Sequence, residues 1–339
     1  MKDDPQVSVI LPVYNARQHL GAAVESICDQ TFRNFELIII DDGSTDDSRD
    51  LLQRCATRDS RVRIITNRTN AGLCHALNEG ISAARGSLIA RMDADDVSLP
   101  DRIERQVGWI SSSQADVCGG WAQLIGTLTR REWRPWEHDD ALKLQLCFNT
   151  PFVHPTVMIR TRLVKLHLYD EASLHGEDYD LWTRLAYAGA KFTNIQRIVL
   201  RYRAHSEQVS KTYPKEQEKS RERSQKRYVS RVIPRKDAFK IVSRFSTPYS
   251  TPSLGDAREL AEIIASLDWV TKRSKCQVFT SVLKYVAPAS PKTYTLMSRF
   301  WRRFDLTPPL SFPLLVQSYL RLRSDGKMYQ RLKRFVSSG

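Results

Sequence analysis

At 339 residues the chain is long enough for a sizeable core and for one large or two ordinary domains. Its six cysteines (Cys28, Cys55, Cys74, Cys118, Cys147, Cys276) stand far apart with no C-x-x-C pair, which excludes a zinc pattern or disulfide framework and reads as reduced, mostly buried thiols. The formal net charge of +14 is unevenly placed: residues 211–339 carry 27 Lys/Arg against 10 Asp/Glu, whereas residues 1–210 carry 25 against 28, so a domain boundary is expected near residue 210 with a basic region beyond it.

No run of 18 consecutive apolar residues occurs, so no membrane-spanning helix is expected. Met1–Pro5 offers no apolar stretch of signal-peptide length before the first strand. The expectation is a cytoplasmic protein, soluble or peripheral on the inner face of the cell membrane.

Residues 7–13 (VSVILPV) read as a continuous apolar strand of the kind covered on both faces in a parallel sheet. Pro12 lacks the N–H that a ladder needs, so the strand is expected to end or lie at an edge there. Leu20, Ala23, Val24, Ile27 and Cys28 recur at helical spacing. Residues 35–40 form a second buried strand ending on Asp41-Asp42-Gly43-Ser44-Thr45, with Ser44 or Thr45 a candidate cap for a helix over 46–58. A third strand at 62–65 leads through Asn70-Ala71-Gly72 into a helix with Leu73, Leu77, Ile81 and Ala84 on one face.

The fourth strand, Ser87-Leu88-Ile89-Ala90, delivers Arg91-Met92-Asp93-Ala94-Asp95-Asp96. Two carboxylates one residue apart at the end of a buried strand repel unless a cation neutralises them, and hard, oxygen-seeking Mg²⁺ or Mn²⁺ suits them. Turn chemistry is the competing explanation for Asp in that place. Strand and helix alternate four times with polar clusters at the strand ends, the pattern of an open α/β sheet that holds ligands there. Neither G-x-G-x-x-G nor G-x-x-x-x-G-K-[ST] is present, so a bound nucleotide would have its phosphates held by a metal instead of a glycine-rich loop.

Further on, 99–112 reads as a helix and 117–128 as strand material in which Gly119-Gly120 allow close backbone approach. Trp133, Trp136 and His138 are candidates for an acceptor cleft or for surface packing. Residues 152–159 read as another strand, with His154 structural. Gly176-Glu177-Asp178 opens a helix, and acids in a first turn are favoured by the helix dipole. Residues 215–235 are charged and helix-compatible, and 255–339 mix helical spacing with aromatics among basic residues, including Phe300, Trp301 and Phe304. A basic surface with aromatics fits an anionic membrane face, with a solvated cap or an acidic partner as alternatives.

Val7–Ala16 (VSVILPVYNA), Asp41–Ser48 (DDGSTDDS), Asn70-Ala71-Gly72, Met92–Asp96 (MDADD) and Gly176–Arg184 (GEDYDLWTR), in that order, resemble the motifs of family 2 glycosyltransferases over roughly residues 5–210. The resemblance implies a GT-A fold, an open and mostly parallel sheet flanked by helices, followed here by the basic, mainly helical region. It also implies an inverting glycosyltransferase that uses a nucleoside-diphosphate sugar, a UDP-sugar in the first instance, and Mn²⁺ or Mg²⁺. Residue by residue, Tyr14 would stack on the base in a pocket shaped by Pro12, Asp42 would accept a hydrogen from the base edge, and Asn70 and Glu177 would line the donor site. Asp93 would reach ribose or metal, Asp95 would bind the metal, and Asp178 would deprotonate the acceptor hydroxyl. His205, a late-chain histidine, would return to the metal. One departure is plain: many relatives place an Arg after the Asn-x-Gly turn, where this chain has Ala76-Leu77-Asn78. The acceptor would be a glycan or lipid-linked saccharide. Two rivals are a nucleotidyltransferase, which needs a glycine-rich basic loop after its first strand, and a non-catalytic module built on the basic region. No nucleic-acid-reading fold is recognisable.

Overall fold

The computed structural model describes residues 4–126, 131–204, 214–246, 252–282, 299–300 and 302–304. The chain divides into two compact units, residues 1–228 and 229–339.

In the first unit, strands β1 (Val7–Val13), β2 (Phe35–Asp41), β3 (Val62–Thr66) and β4 (Leu88–Arg91) alternate with helices α1 (Arg17–Cys28), α2 (Ser48–Arg58) and α3 (Leu73–Ala83). These four strands are parallel, in the order β3-β2-β1-β4. The sheet continues through β8 (Met158–Arg160), β6 (Val117–Ile125), β9 (Phe192–Arg203) and the two-residue β5 (Val97–Ser98), with β7 (Glu132–Trp133) pairing on β6. β8 is antiparallel to both β4 and β6, so the sheet is mixed on that side. Helices α4 (Arg102–Ser113), α5 (Asp139–Gln145), α6 (Thr161–Leu166) and α7 (Glu177–Tyr187) complete the frame.

Alternation along β1 sorts its side chains to two faces. Val7, Val9, Leu11 and Val13 join Leu20, Val24 and Ile27 of α1, Leu52 of α2, and Ile103 and Ile110 of α4 in one core. On the other face Ile10 and Ile89 meet Leu77 and Ile81 of α3. At Gly120 of β6 a Cβ would stand 2.6 Å from the Val199 side chain, the close approach expected of the glycine pair.

Of the two expectations for Pro12, the strand end holds to within one residue and the edge position does not. β1 is central and runs on to Val13. The Met92 N–H donates to the Ile10 carbonyl, so Ile10, and by parity Pro12, turns its backbone toward β4, while pairing there ends at Ile10–Arg91. The missing N–H faces a neighbour that has already stopped. The run 152–159 is also corrected. His154–Thr156 is a 3₁₀ turn around Pro155, and only 158–160 is strand. Helix α2 starts at Ser48 without a side-chain cap from Ser44 or Thr45. Those residues tie loops together instead, as described below.

Helix α8 (Pro214–Val232) carries the first unit through Tyr228. In the second unit, α9 (Ala238–Ser243), α10 (Leu254–Ala265) and α11 (Lys272–Val282) bury Leu260, Ile264 and Phe279. A capping box of Ser253 and Asp256 opens α10. Phe300 is 4 % exposed and its ring lies 4.2 Å from that of Phe279. It is therefore a core residue of this unit, which corrects its reading as a surface aromatic; Trp301 lies outside the described residues. Among the described residues no helix is long and apolar enough to cross a membrane.

Candidate active site

The loops that leave β1, β2 and β3 form one cradle. Asn15 takes a left-handed φ of 48°, which its short side chain tolerates. Its N–H donates to Ser44 Oγ at 3.1 Å, and the Thr45 N–H donates to Asn15 Oδ1 at 2.8 Å. Gly43 has φ 73°, and a Cβ there would sit 2.6 Å from the Thr69 backbone. Asp42 is buried and gathers the third loop: Asn67 Nδ2 and the N–H groups of Ala71 and Gly72 donate to its carboxylate at 2.8 to 3.1 Å. The Ala71 N–H reaches both oxygens, so each carboxylate oxygen accepts two contacts and the group is held firmly in place. Tyr14 is 49 % exposed beside this cradle, Pro12 is half-buried and Asn70 is exposed.

Asp93, Asp95 and Asp96 follow β4, and one carboxylate oxygen from each lies within 4.8 Å of the other two. The sequence reading assigned the first two and left Asp96 without a role, although a third acid stands directly after Asp95. Asp96 is 1 % exposed; its Oδ1 accepts the Arg203 N–H at 2.8 Å and its Oδ2 meets no partner among the described residues. Burial, then Asp93 and Asp95, push its carboxyl up to about 9. Asp93 is also raised, by burial against the opposing pull of Arg91. Arg203 Nε holds the Asp95 carbonyl at 2.8 Å, and buried Arg102 holds the Arg91 carbonyl at 2.8 Å. Three clustered hard oxygen donors, one with an orphaned buried oxygen, fit a divalent cation.

Helix α7 brings Glu177 and Asp178 to the same place. Gly176 precedes them as N-cap, and the Tyr179 N–H donates to Asp178 Oδ1 at 2.6 Å. Burial raises both carboxyls; with the neighbouring Asp178 charge it pushes Glu177 to about 7. The Arg91 cation pulls both down and the Asp93 charge pushes Glu177 up, so the end of β4 and the start of α7 share one electrostatic field. Tyr169 feels the charges of Arg91, Asp178 and Glu177, and its backbone is clamped by the Asn78 side chain at 2.9 Å in both directions. Its hydroxyl meets His154 Nε2 at 2.7 Å, and burial holds His154 neutral. Ala76 and Leu77 are buried, and the Arg91 cation at the end of β4 lies in the field of these acids.

Trp133 is 43 % exposed and packs at 4.8 Å on Tyr202, whose phenol is raised by burial and by Asp93, Asp96 and Asp95. That puts Trp133 one ring away from the acid cluster. Trp136 uses its carbonyl to accept from Asn194, and His138 precedes α5. His205 lies outside the described residues.

Comparison with known proteins agrees with this geometry. Residues 8–167 match the family described as glycosyl transferase family 2. An uncharacterized glycosyltransferase of Haemophilus influenzae is 32% identical over 231 residues, 64% of this chain and 71% of that protein. The O-antigen biosynthesis glycosyltransferase WbnJ of Escherichia coli is 31% identical over 61% of this chain and 82% of its own length. Among solved structures, S. aureus TarS 1–349 in complex with UDP-GlcNAc aligns with a TM-score of 0.58 over 90% of this chain and 93% of that one, at 16% identity. The fold is the GT-A type that the resemblance implied, and the chain belongs to glycosyl transferase family 2.

Proposed function

We propose that this glycosyltransferase moves a sugar, with inversion, from a nucleoside-diphosphate sugar to a hydroxyl of a glycan or lipid-linked acceptor in surface-polysaccharide synthesis. The observation that carries the reading is the meeting of two acid groups, Asp93-Asp95-Asp96 after β4 and Glu177-Asp178 at the start of α7. A UDP-sugar is the first candidate donor, since TarS has been solved with UDP-GlcNAc, and O-antigen synthesis is the printed role of WbnJ.

Tyr14 offers an open ring face for the base, and Asp42, fixed by the third loop, would take the base edge by exchanging one of its loop contacts, while Pro12 and Asn70 bound the cradle. Asp93 and Asp95, with Asp96, would hold Mn²⁺ or Mg²⁺, and His205 remains a candidate fourth ligand. When bound, the cation supplies charge neutralisation to the leaving diphosphate. Asp178 takes the acceptor proton as the acceptor oxygen bonds to the anomeric carbon and the bond from that carbon to the diphosphate oxygen breaks. One base with no second carboxylate acting as nucleophile makes a single displacement, which inverts configuration. Glu177 lines the donor side and keeps the neighbouring charge adjustable.

Thermal shift against a panel of nucleotide sugars with Mn²⁺ tests this. Stabilisation follows RT ln(1 + [L]/Kd), about 2.7 kcal/mol at 100 Kd. A rise with one nucleotide sugar that disappears in Asp95→Ala is expected. Equal stabilisation of both proteins, with and without metal, would remove the assignment. The excess of basic residues over 211–339 further supports a place at an anionic cytoplasmic membrane face, where a lipid-linked acceptor would be presented.

A further inference from the structure

Arg91 is the last residue of β4, and its side chain is 8 % exposed. Its backbone is fixed from three sides. The N–H donates to the Val157 carbonyl at 2.9 Å, the carbonyl accepts from Arg102 Nη2 at 2.8 Å, and the residue pairs with Ile10 in register. From that anchored position the guanidinium meets Asp93 as a fork, Nη1 on Oδ2 and Nη2 on Oδ1, each at 2.5 Å. Two parallel charge-assisted bonds fix the plane of a carboxylate as well as its position, which a lysine ammonium cannot do. The third guanidinium nitrogen, Nε, meets no hydrogen-bond partner among the described residues.

A buried ion pair adds little net stability over apolar residues of the same shape, and an unpartnered buried donor costs more. Stability therefore does not account for this arginine. Its place does. Asp93, Asp95 and Asp96 crowd within 4.8 Å and would splay apart if left to their mutual repulsion. We propose that Arg91 is a positioning residue for the transfer reaction, holding the Asp93 carboxylate in one plane and one rotamer so that the donor and its cation meet a preorganised pair of oxygens. The inference rests on the reading of Asp93 as a donor-site or metal-site group.

The test uses the full chain and five proteins: wild type, Arg91→Lys, Arg91→Met, Asp93→Asn, and the double variant Arg91→Met/Asp93→Asn. The probe is UDP, with GDP run beside it, titrated by calorimetry with and without Mn²⁺, and the thermal midpoint of each protein is recorded. Arg91→Met and Asp93→Asn should each weaken Mn²⁺-dependent UDP binding by about tenfold or more, the scale of a charge-assisted contact. The double variant should bind no more weakly than Asp93→Asn alone, because Arg91 acts through Asp93. Arg91→Lys should keep the thermal midpoint near wild type yet lose affinity, since it keeps the charge and lacks the fork. If Arg91→Met does not fold, Arg91→Lys and the double variant, which removes both charges together, still decide the matter. Wild-type affinity in Arg91→Lys, or losses that add fully in the double variant, would overturn the proposal while leaving Asp93 in the site. Unchanged binding in Asp93→Asn would overturn it together with the reading of Asp93 itself.

Discussion

Asp96 and Arg203 are joined across the sheet: the Arg203 backbone N–H donates to Asp96 Oδ1 at 2.8 Å, while buried Asp96 Oδ2 meets no donor among the described residues. One oxygen is structural and the other is available. Because its carboxyl is pushed to about 9, Asp96 is protonated at neutral pH when no cation is near. An acid whose folded pKa lies above its unfolded value stabilises the fold at low pH and loses that contribution as pH rises through the folded value. Metal-free protein should therefore lose thermal stability between about pH 4, the ordinary carboxylate range, and about pH 9. Mn²⁺ should restore it, most strongly at the alkaline end, and should release protons on binding at pH 7. Asp96→Asn should flatten the pH slope and weaken Mn²⁺ by about 10- to 100-fold. Thermal scans in EDTA and in Mn²⁺ across pH check this, and an unchanged slope in the Asn variant would refute it.

The Glu177 and Asp178 pair titrates together, because each carboxylate sits in the other's field. With Glu177 at about 7, transfer should rise with pH through roughly neutrality as the pair loses its proton. Asp178→Asn keeps the shape and removes the base, so turnover should fall by about 10² or more with donor affinity retained. Glu177→Gln should stay active and move the acid limb to lower pH, since one neighbouring negative charge is gone. The reverse pattern, a dead Glu177→Gln and an active Asp178→Asn, would exchange the two roles.

The alternation of strands and helices was legible because β1, β2 and β4 are apolar on both faces and α1 and α3 carry 3.6-residue stripes. Pro12 marked the end of β1 to within one residue, but its alternative edge position fails because composition does not tell where a neighbouring strand stops. The run at 152–159 misled because short apolar segments look alike whether strand or turn. The acids of the site could be read from their motifs. That Asp96 has a buried oxygen with no partner among the described residues, or that Arg91 forks onto Asp93, depends on side-chain directions that no spacing records. Phe300 shows the same limit from the other side. Arginines next to it in sequence pointed to the surface, yet the ring packs on Phe279.

Asp180, one turn into α7, is 1 % exposed and paired with Arg184, Ser224 and Arg227. Two of those partners come from α8, beyond the residue near which the composition of the chain changes. Arg227→Met leaves Asp180 with Arg184 and Ser224 only, and losing one partner of a buried pair costs about 3–5 kcal/mol. Arg227 is itself a third exposed, so the lower end of that range is expected. A chain ended after Ser210 should unfold at lower denaturant than one ended after Tyr228. Equal midpoints for the two would show that α8 does not support the helix.

The basic region gives the last prediction, which separates charge from apolar anchoring. Residues 211–339 carry 27 Lys/Arg against 10 Asp/Glu, and anionic lipid attracts each basic residue near it by about 1 kcal/mol. Within the described part, Trp269 is 42 % exposed and is followed by exposed Lys272 and Arg273, whereas Phe300 is buried. Full-length protein should float with anionic vesicles at low salt and be released as salt is raised. Trp269→Ala should weaken flotation with little loss of stability. Phe300→Ala should do the opposite, leaving vesicle binding of the folded protein unchanged and lowering stability by about 3–5 kcal/mol, as for a buried aromatic. Failure of the intact protein to bind anionic vesicles at low salt would exclude the membrane surface while leaving the transfer chemistry of residues 1–228 as it stands.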